Sequence, residues 1–264
     1  MSSAAPCVFS PQARHFSAQK NFDRLFPLCY TVLQKQEAVF MFHPSLHGPD
    51  ELEQLALDWG LLPFFSCGIP GFSVEDCTPS RYWFAGDVDG PWEWRMEVAR
   101  RGKAAYGKLF RKKAGFVSRE WYPDLANYRR DGYDFDSRYD EGKAGRREKA
   151  IMDILLQNGP MLSKDLKRAA GFTDGTYKGF DAAITNLQMM TYVTVHSFEY
   201  AVDKHGNPYG WGVARYAVTE DVLGAKITRS AYDRDPQESK QRLLQRLGVL
   251  CPDASDDELE HFIR

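Results

Sequence analysis

The chain has 264 residues, of which 43% are hydrophobic and 27% charged, and its net charge is −2. This composition suits folded units with cores of their own and excludes collagen-like, low-complexity and largely disordered chains. The length predicts two or three compact units rather than one small module. No run approaches the length of a membrane span, and the opening MSSAAPCVFSPQARHF lacks the charged start and continuous apolar core of a secretory signal. A cytoplasmic protein without membrane association is therefore expected.

In chain order, residues 1–48 of the N-terminal region show short apolar stretches broken by Pro11, Pro27, Pro44 and Gly48, from which no topology can be read. The region ends in a helix with Asp50 as cap, Leu52, Leu55, Ala56 and Trp59 as inner face, and Gly60 as stop. Residues 61–90, rich in Pro, Gly and aromatics, predict a long packed loop pinned by Trp83 and Phe84. A helix follows over Trp92 to Arg101, stopped by Gly102. The runs AAYGKLF and AGFVS then predict a hairpin whose tip carries Arg111, Lys112 and Lys113. Pro123 suits the first turn of another helix ending at Gly132, and a short helix is expected within Tyr133 to Asp140.

The clearest periodicity begins at Arg146, where Ala150, Ile151, Ile154 and Leu155 form one apolar stripe ending at Gly159-Pro160. Ser163 is expected to cap a second helix with Leu166, Ala169 and Ala170 inside. A third, from about Thr176, places Phe180, Ala183, Ile184 and Leu187 inward and Lys178, Asp181, Ala182, Thr185 and Gln188 outward. The β-rich run YVTVHSFEYAV, the loop DKHGNPYG and the run WGVARYAVT complete a two-stranded ribbon. Three helices followed by a ribbon predict a winged helix, whose third helix is sized for the DNA major groove and whose wing reaches the adjacent backbone. The tail predicts a helix capped near Asp235-Pro236, with Leu243, Leu244 and Leu247 inside, and an acidic helix from Ser255 to Phe262.

Charge is unevenly spread. Residues 95–130 hold eleven Lys or Arg against three acids, a local excess that could track phosphates, while DASDDELE near the end is acidic. Arg111, Lys112 and Lys113 on a turn, Arg129 and Arg130 at a helix end, and Lys164, Lys167, Lys178, Thr185, Gln188, Lys204 and His205 in the winged helix are the candidate DNA contacts. Asp87, Asp89 and Glu93 could orient a water or hold a divalent ion; equally, they sit beside Pro91, where acids favour a helix start. The tryptophans Trp83, Trp92, Trp94 and Trp121 read as core more readily than as base-stacking faces. Cys7, Cys29, Cys67, Cys77 and Cys251 never form CxxC and read as free thiols. His15, His43, His47, His196, His205 and His261 have no paired-ligand spacing, so no metal is assigned. P-loop, dinucleotide and nucleophile-elbow motifs are lacking.

The run PWEWRMEVARRGKAAYGKLFRKKAGFVSREWYPDLANYRRDG, followed by LSKDLKRAAGF and FDAAITNLQMMTYVTV, resembles bacterial proteins related to the AlkZ/YcaQ winged-helix DNA glycosylases, over about residues 61–220. The resemblance implies winged-helix units that cradle DNA. In a catalytic member it also implies a QxQ or QxD motif with an aliphatic centre that helps water attack a damaged nucleotide. Here the QxQ is Gln34-Lys35-Gln36, with lysine at the centre and outside the resembling stretch, so catalytic residues do not carry over. An enzyme of this kind would flip the damaged nucleotide into an aromatic pocket and hydrolyse its glycosidic bond without a cofactor. The alternative is a non-catalytic winged-helix interaction or regulatory module with a protein partner. The expected fold is mainly α with small β-hairpins (α+β), a winged helix-turn-helix domain packed on an aromatic-rich α/β segment. Its divisions are an N-terminal helical region (1–60), an aromatic and basic middle (61–145), the winged helix (146–220) and C-terminal helices (221–264).

Overall fold

The computed structural model describes residues 44–84 and 88–264; the expectations for residues 1–43 and for Asp87 lie outside them. Within these bounds the protein is α+β and mainly helical, with two three-stranded antiparallel sheets.

Helix α1 (Pro49–Trp59) begins earlier than Asp50. Gly48 is its cap and Pro49 its first residue, leaving Asp50 and Glu51 in the first turn beside the positive end of the dipole. The expected loop after Gly60 contains strand β1 (Leu61–Pro63) and a single-turn helix α2 (Val74–Cys77). A three-residue strand buried on both faces has no alternation to reveal it. Trp83 does pin this region, packing edge-on against Phe64 at 5.6 Å, but Phe84 does not, being 94% exposed.

Next come α3 (Pro91–Arg101), β2 (Ala104–Phe110), β3 (Lys113–Ser118) and α4 (Tyr122–Arg130). The first sheet runs β1-β3-β2, which leaves β2 at an edge. Helix α5 (Phe135–Asp140) is capped by the Asp134 side chain. The second sheet belongs to a run ordered α6 (Arg146–Asn158), β4 (Met161–Leu162), α7 (Ser163–Ala169), α8 (Phe180–Met189), β5 (Val193–Val202) and β6 (Pro208–Val218), with strand order β4-β6-β5. The three helices and ribbon are therefore present, with two changes. Ser163 makes no side-chain cap, because Met161 and Leu162 pair with Tyr216 and Arg215 and Leu162 takes the cap position. The third helix starts at Phe180 rather than near Thr176, because the chain folds back so that the Tyr177 N–H donates to the Gly171 carbonyl at 2.9 Å.

Short helices α9 (Thr219–Leu223) and α10 (Ala225–Arg229) lead to α11 (Pro236–Leu250), capped by Asp235, and α12 (Asp256–Ile263), capped by Ser255. One hydrophobic cluster joins α1, the first sheet, α3, α4 and the two C-terminal helices; a second fills the space between α5, α6, α7, α8 and the second sheet. Helix α11 is fixed to α4 through Asp124, 1% exposed, which accepts from Arg234 at 2.6 Å and Arg242 at 3.2 Å. Helix α12 delivers Phe262 onto Phe110, ring centroids 4.7 Å apart and nearly parallel.

The clusters meet where α8 and β5 close the edge of β2. Thr194 Oγ1 accepts from the Tyr106 N–H at 3.1 Å and donates to the Tyr106 carbonyl at 2.8 Å, and Gln188 Oε1 accepts from the Lys108 N–H at 2.9 Å. Two polar side chains thus take the place of a fourth strand, satisfying main-chain groups that an edge would leave exposed. Gly107 between them permits the approach, since a Cβ there would lie 2.8 Å from Gln188 Oε1.

Candidate nucleic-acid interface

The β2–β3 hairpin turns on two residues, Arg111 (φ 50°) and Lys112 (φ 64°), both in the left-handed region that a type I′ turn requires. That conformation costs about 1–2 kcal/mol for each side-chain-bearing residue, and the usual occupants are Asn and Gly. Two cations therefore stand where local preference argues against them, an arrangement found most often at functional sites. Arg111, Lys112 and Lys113 are exposed, and among the described residues no carboxylate lies within 4.0 Å of them. The Lys113 ammonium instead donates to the Ser66 carbonyl at 2.9 Å.

This tip lies at one end of α8, with the Lys112 N–H 3.2 Å from Met189 Sδ. At the middle of the helix the Lys108 ammonium donates to Thr185 Oγ1 at 3.3 Å. At the other end Arg147 donates to the Lys178 carbonyl at 3.2 Å, beside the exposed Lys178 side chain. Cations thus recur along a helix about 15 Å long. Lys164 and Lys167 are exposed on α7, whereas Arg168 pairs with Asp165 at 2.8 Å. Lys204 and His205 are exposed at the ribbon tip. That tip is ordered by Asp203, whose carboxylate accepts the N–H groups of Asn207 at 2.9 Å and His205 at 2.8 Å and is held below the usual carboxylate range by them.

Four expected contacts lie elsewhere. Thr185 and Gln188 are 6% and 1% exposed, because the outer side of α8 in its second half packs on β2 instead of facing solvent. Arg129 and Arg130 are turned inward. Arg129 donates to the carbonyls of Met189 and Ile263, both at 3.0 Å, and Arg130 to the main chain and hydroxyl of Thr191. The local cationic excess is thinned further by ion pairing and, at Arg95, by an aromatic ring. Arg101 meets Asp50 at 2.7 Å and Glu97 at 2.6 Å, Lys103 meets Glu53 at 2.7 Å, and Arg95 lies over the Trp92 ring at 4.6 Å.

Glu93 Oε2 accepts the Gly90 N–H at 3.0 Å and so closes the start of α3, with Pro91 as its first residue, while Asp89 is exposed. Among the described residues no three His, Cys, Asp or Glu side chains converge as a metal site would need. Trp94 is buried, and Trp83, Trp92 and Trp121 pack partly buried against the first core. Trp211 on β6 is 78% exposed and meets Trp92 edge-on at 6.3 Å. The sequence pattern singles out neither Trp211 nor Arg147. Arg147 does leave a signal, since Arg146 and Arg147 open a helix at the end where its dipole disfavours cations. Lys108 leaves none.

Among the described residues no helix is long and apolar enough to cross a membrane. No curated protein and no solved structure gives a significant match to the chain. A family model described as AlkZ related matches residues 46–264, extending the stretch of sequence resemblance on both sides and leaving Gln34-Lys35-Gln36 outside it. Reaching from the start of α1 through the last helix, that match establishes that the chain belongs to the AlkZ-related family.

Proposed function

We propose that this is a cytoplasmic winged-helix protein that binds duplex DNA, with residues 146–220 forming the winged helix and residues 61–145 the segment that flanks α8. The row of cations along α8, from Arg147 and Lys178 past Lys108 to the 111–113 tip, is the observation that carries this reading. Phosphates attract such a row whatever the base sequence. Lys164 and Lys167 on α7, and Lys204 and His205 on the ribbon, extend the contacts; Arg129, Arg130, Thr185 and Gln188 are assigned to holding the scaffold. With Thr185 and Gln188 committed to β2, few side chains on α8 remain to read base edges, so affinity comes mainly from the DNA backbone. Trp211 offers an exposed ring on which an unpaired base can stack, which suits a relative of enzymes that act on damaged nucleotides.

The test is fluorescence anisotropy with undamaged, abasic and alkylated duplexes across a salt series, alongside a base-release assay. Binding should weaken linearly in log–log form, and Arg147→Ala with Lys178→Ala should lower the slope by about 1.8, at about 0.9 for each phosphate no longer neutralised. Both side chains are surface groups, so melting should move little. Binding without base release would make the chain a non-catalytic DNA-binding relative. Failure to bind any duplex at low salt would overturn the reading in favour of a protein-interaction module.

A further inference from the structure

The exposed apolar side chains of the described residues are unevenly spread. Phe84, Val88, Tyr200, Val202 and Trp211 are all exposed, and they lie on the approach to α3 or on the outer half of the ribbon that packs on it. Between the pairs Glu199–Val213 and Ala201–Tyr209, Tyr200 on β5 faces three residues on β6, Gly210, Trp211 and Gly212. This bulge, with Gly210 at φ 75°, turns Trp211 toward Trp92 on α3. Gly212 lets the strand lie against Met96, whose Cε a Cβ there would approach to 2.9 Å, and Tyr200 Oη donates to Met96 Sδ at 3.4 Å. Rings continue inward from Trp211 through Trp92 to Trp83, with centroids 6.3 and 5.8 Å apart. The face is thus held by packing on α3, and an apolar patch of this kind marks an interaction surface.

Its surroundings favour a cation. Asp89 and Glu93, at the start of α3, have no basic side chain within 4.0 Å among the described residues. Partial burial pushes the Tyr200 phenol up, and the charges of Glu93 and Asp89 push it the same way, so both carboxylates border the face. The ring cluster already holds one guanidinium from within. Arg95 lies over Trp92 at 4.6 Å and Phe198 at 5.0 Å, and donates to the Tyr106 hydroxyl at 3.1 Å and the Trp92 carbonyl at 3.2 Å. The outer ring, Trp211, and the two carboxylates offer the same kind of contact to a cation arriving from solvent. Phosphates are repelled by these acids, and a second copy of the face would set them against each other.

We propose that this face docks a segment of a partner protein that carries arginine among apolar side chains, the guanidinium stacking on Trp211 and pairing with Asp89 or Glu93 while the apolar neighbours cover Tyr200 and Val202. The inference does not rest on DNA binding. A docked segment covers Trp211, so it and a base stacked on that ring exclude each other.

Short random peptides displayed on phage and selected on the full chain test this. Selection should enrich peptides that combine arginine with apolar residues, and a fluorescein-labelled synthetic copy should bind the full chain saturably by anisotropy. Trp211→Ser and Asp89→Lys, both at exposed positions, should each weaken that peptide by about tenfold with little change in melting temperature. The proposal is overturned if no peptide is enriched, if the enriched peptides are acidic or lack arginine, or if either variant binds the peptide as the parent chain does. It is overturned in favour of a nucleic-acid platform if oligo-dT binds more tightly than the peptide and loses that binding in Trp211→Ser.

Discussion

Phe262→Ala is expected to destabilise the protein by about 3–5 kcal/mol, the range for truncating a buried phenylalanine. Phe262 is 1% exposed and lies between Phe110, stacked at 4.7 Å, and Phe72, edge-on at 5.6 Å. Its removal would open a void under the first sheet at the point where α12 is held. The neighbouring rings are fixed by β2 on one side and the 61–90 segment on the other, so little collapse into the void is possible. Urea unfolding would show the loss as a lower midpoint with an unchanged slope. A loss below about 1 kcal/mol would mean that α12 frays from the sheet and contributes little to the core. Leu156→Ala, at an exposed position, serves as the matched control.

Arg111→Asn combined with Lys112→Gly is expected to weaken duplex DNA binding by roughly tenfold or more at low salt and to reduce the log–log salt slope by about 1.8. Asn-Gly is the preferred pair for a type I′ turn, so the hairpin should keep its register and the left-handed strain at both positions should be relieved. Stability should hold or rise while binding falls. This opposition is the useful feature, because a tip that served only the fold would show improved stability and unaltered binding. Circular dichroism and a melting curve on the same preparation would establish which of the two holds.

Local pattern reveals the elements whose chemistry is local. Ile151 and Leu155 on α6 repeat at helical spacing, Ser255 and Glu258 cap α12 reciprocally, and the β-rich run YVTVHSFEYAV with the turn after it reads as one arm of a ribbon. Strands β1 and β4, of three and two residues, are too short to carry a period. Spacing alone starts the third helix too early, at Thr176, because the TDGTYKG stretch satisfies its backbone in a turn before the helix begins. Gln188 shows the deeper limit. A polar residue on the outward side of an amphipathic helix reads as solvated, and its actual partner, the main chain at Lys108, lies 80 positions away in sequence. Arg129 and Arg130 mislead in the same way, since a cation at a helix end looks dipole-stabilised and wet until the carbonyls of a distant segment close over it. The hairpin tip is legible as a charge cluster, whereas its left-handed backbone is not.

Arg130 donates both to Tyr122, which belongs to the first hydrophobic cluster, and to the main chain of Thr191, immediately before Tyr192 and Val193 of the second. Separating the two clusters would strand that guanidinium and several carbonyls in an apolar breach, so neither half is stable in a partly melted chain. Scanning calorimetry of the full chain should accordingly show the two clusters melting together in one endotherm rather than in two separate steps.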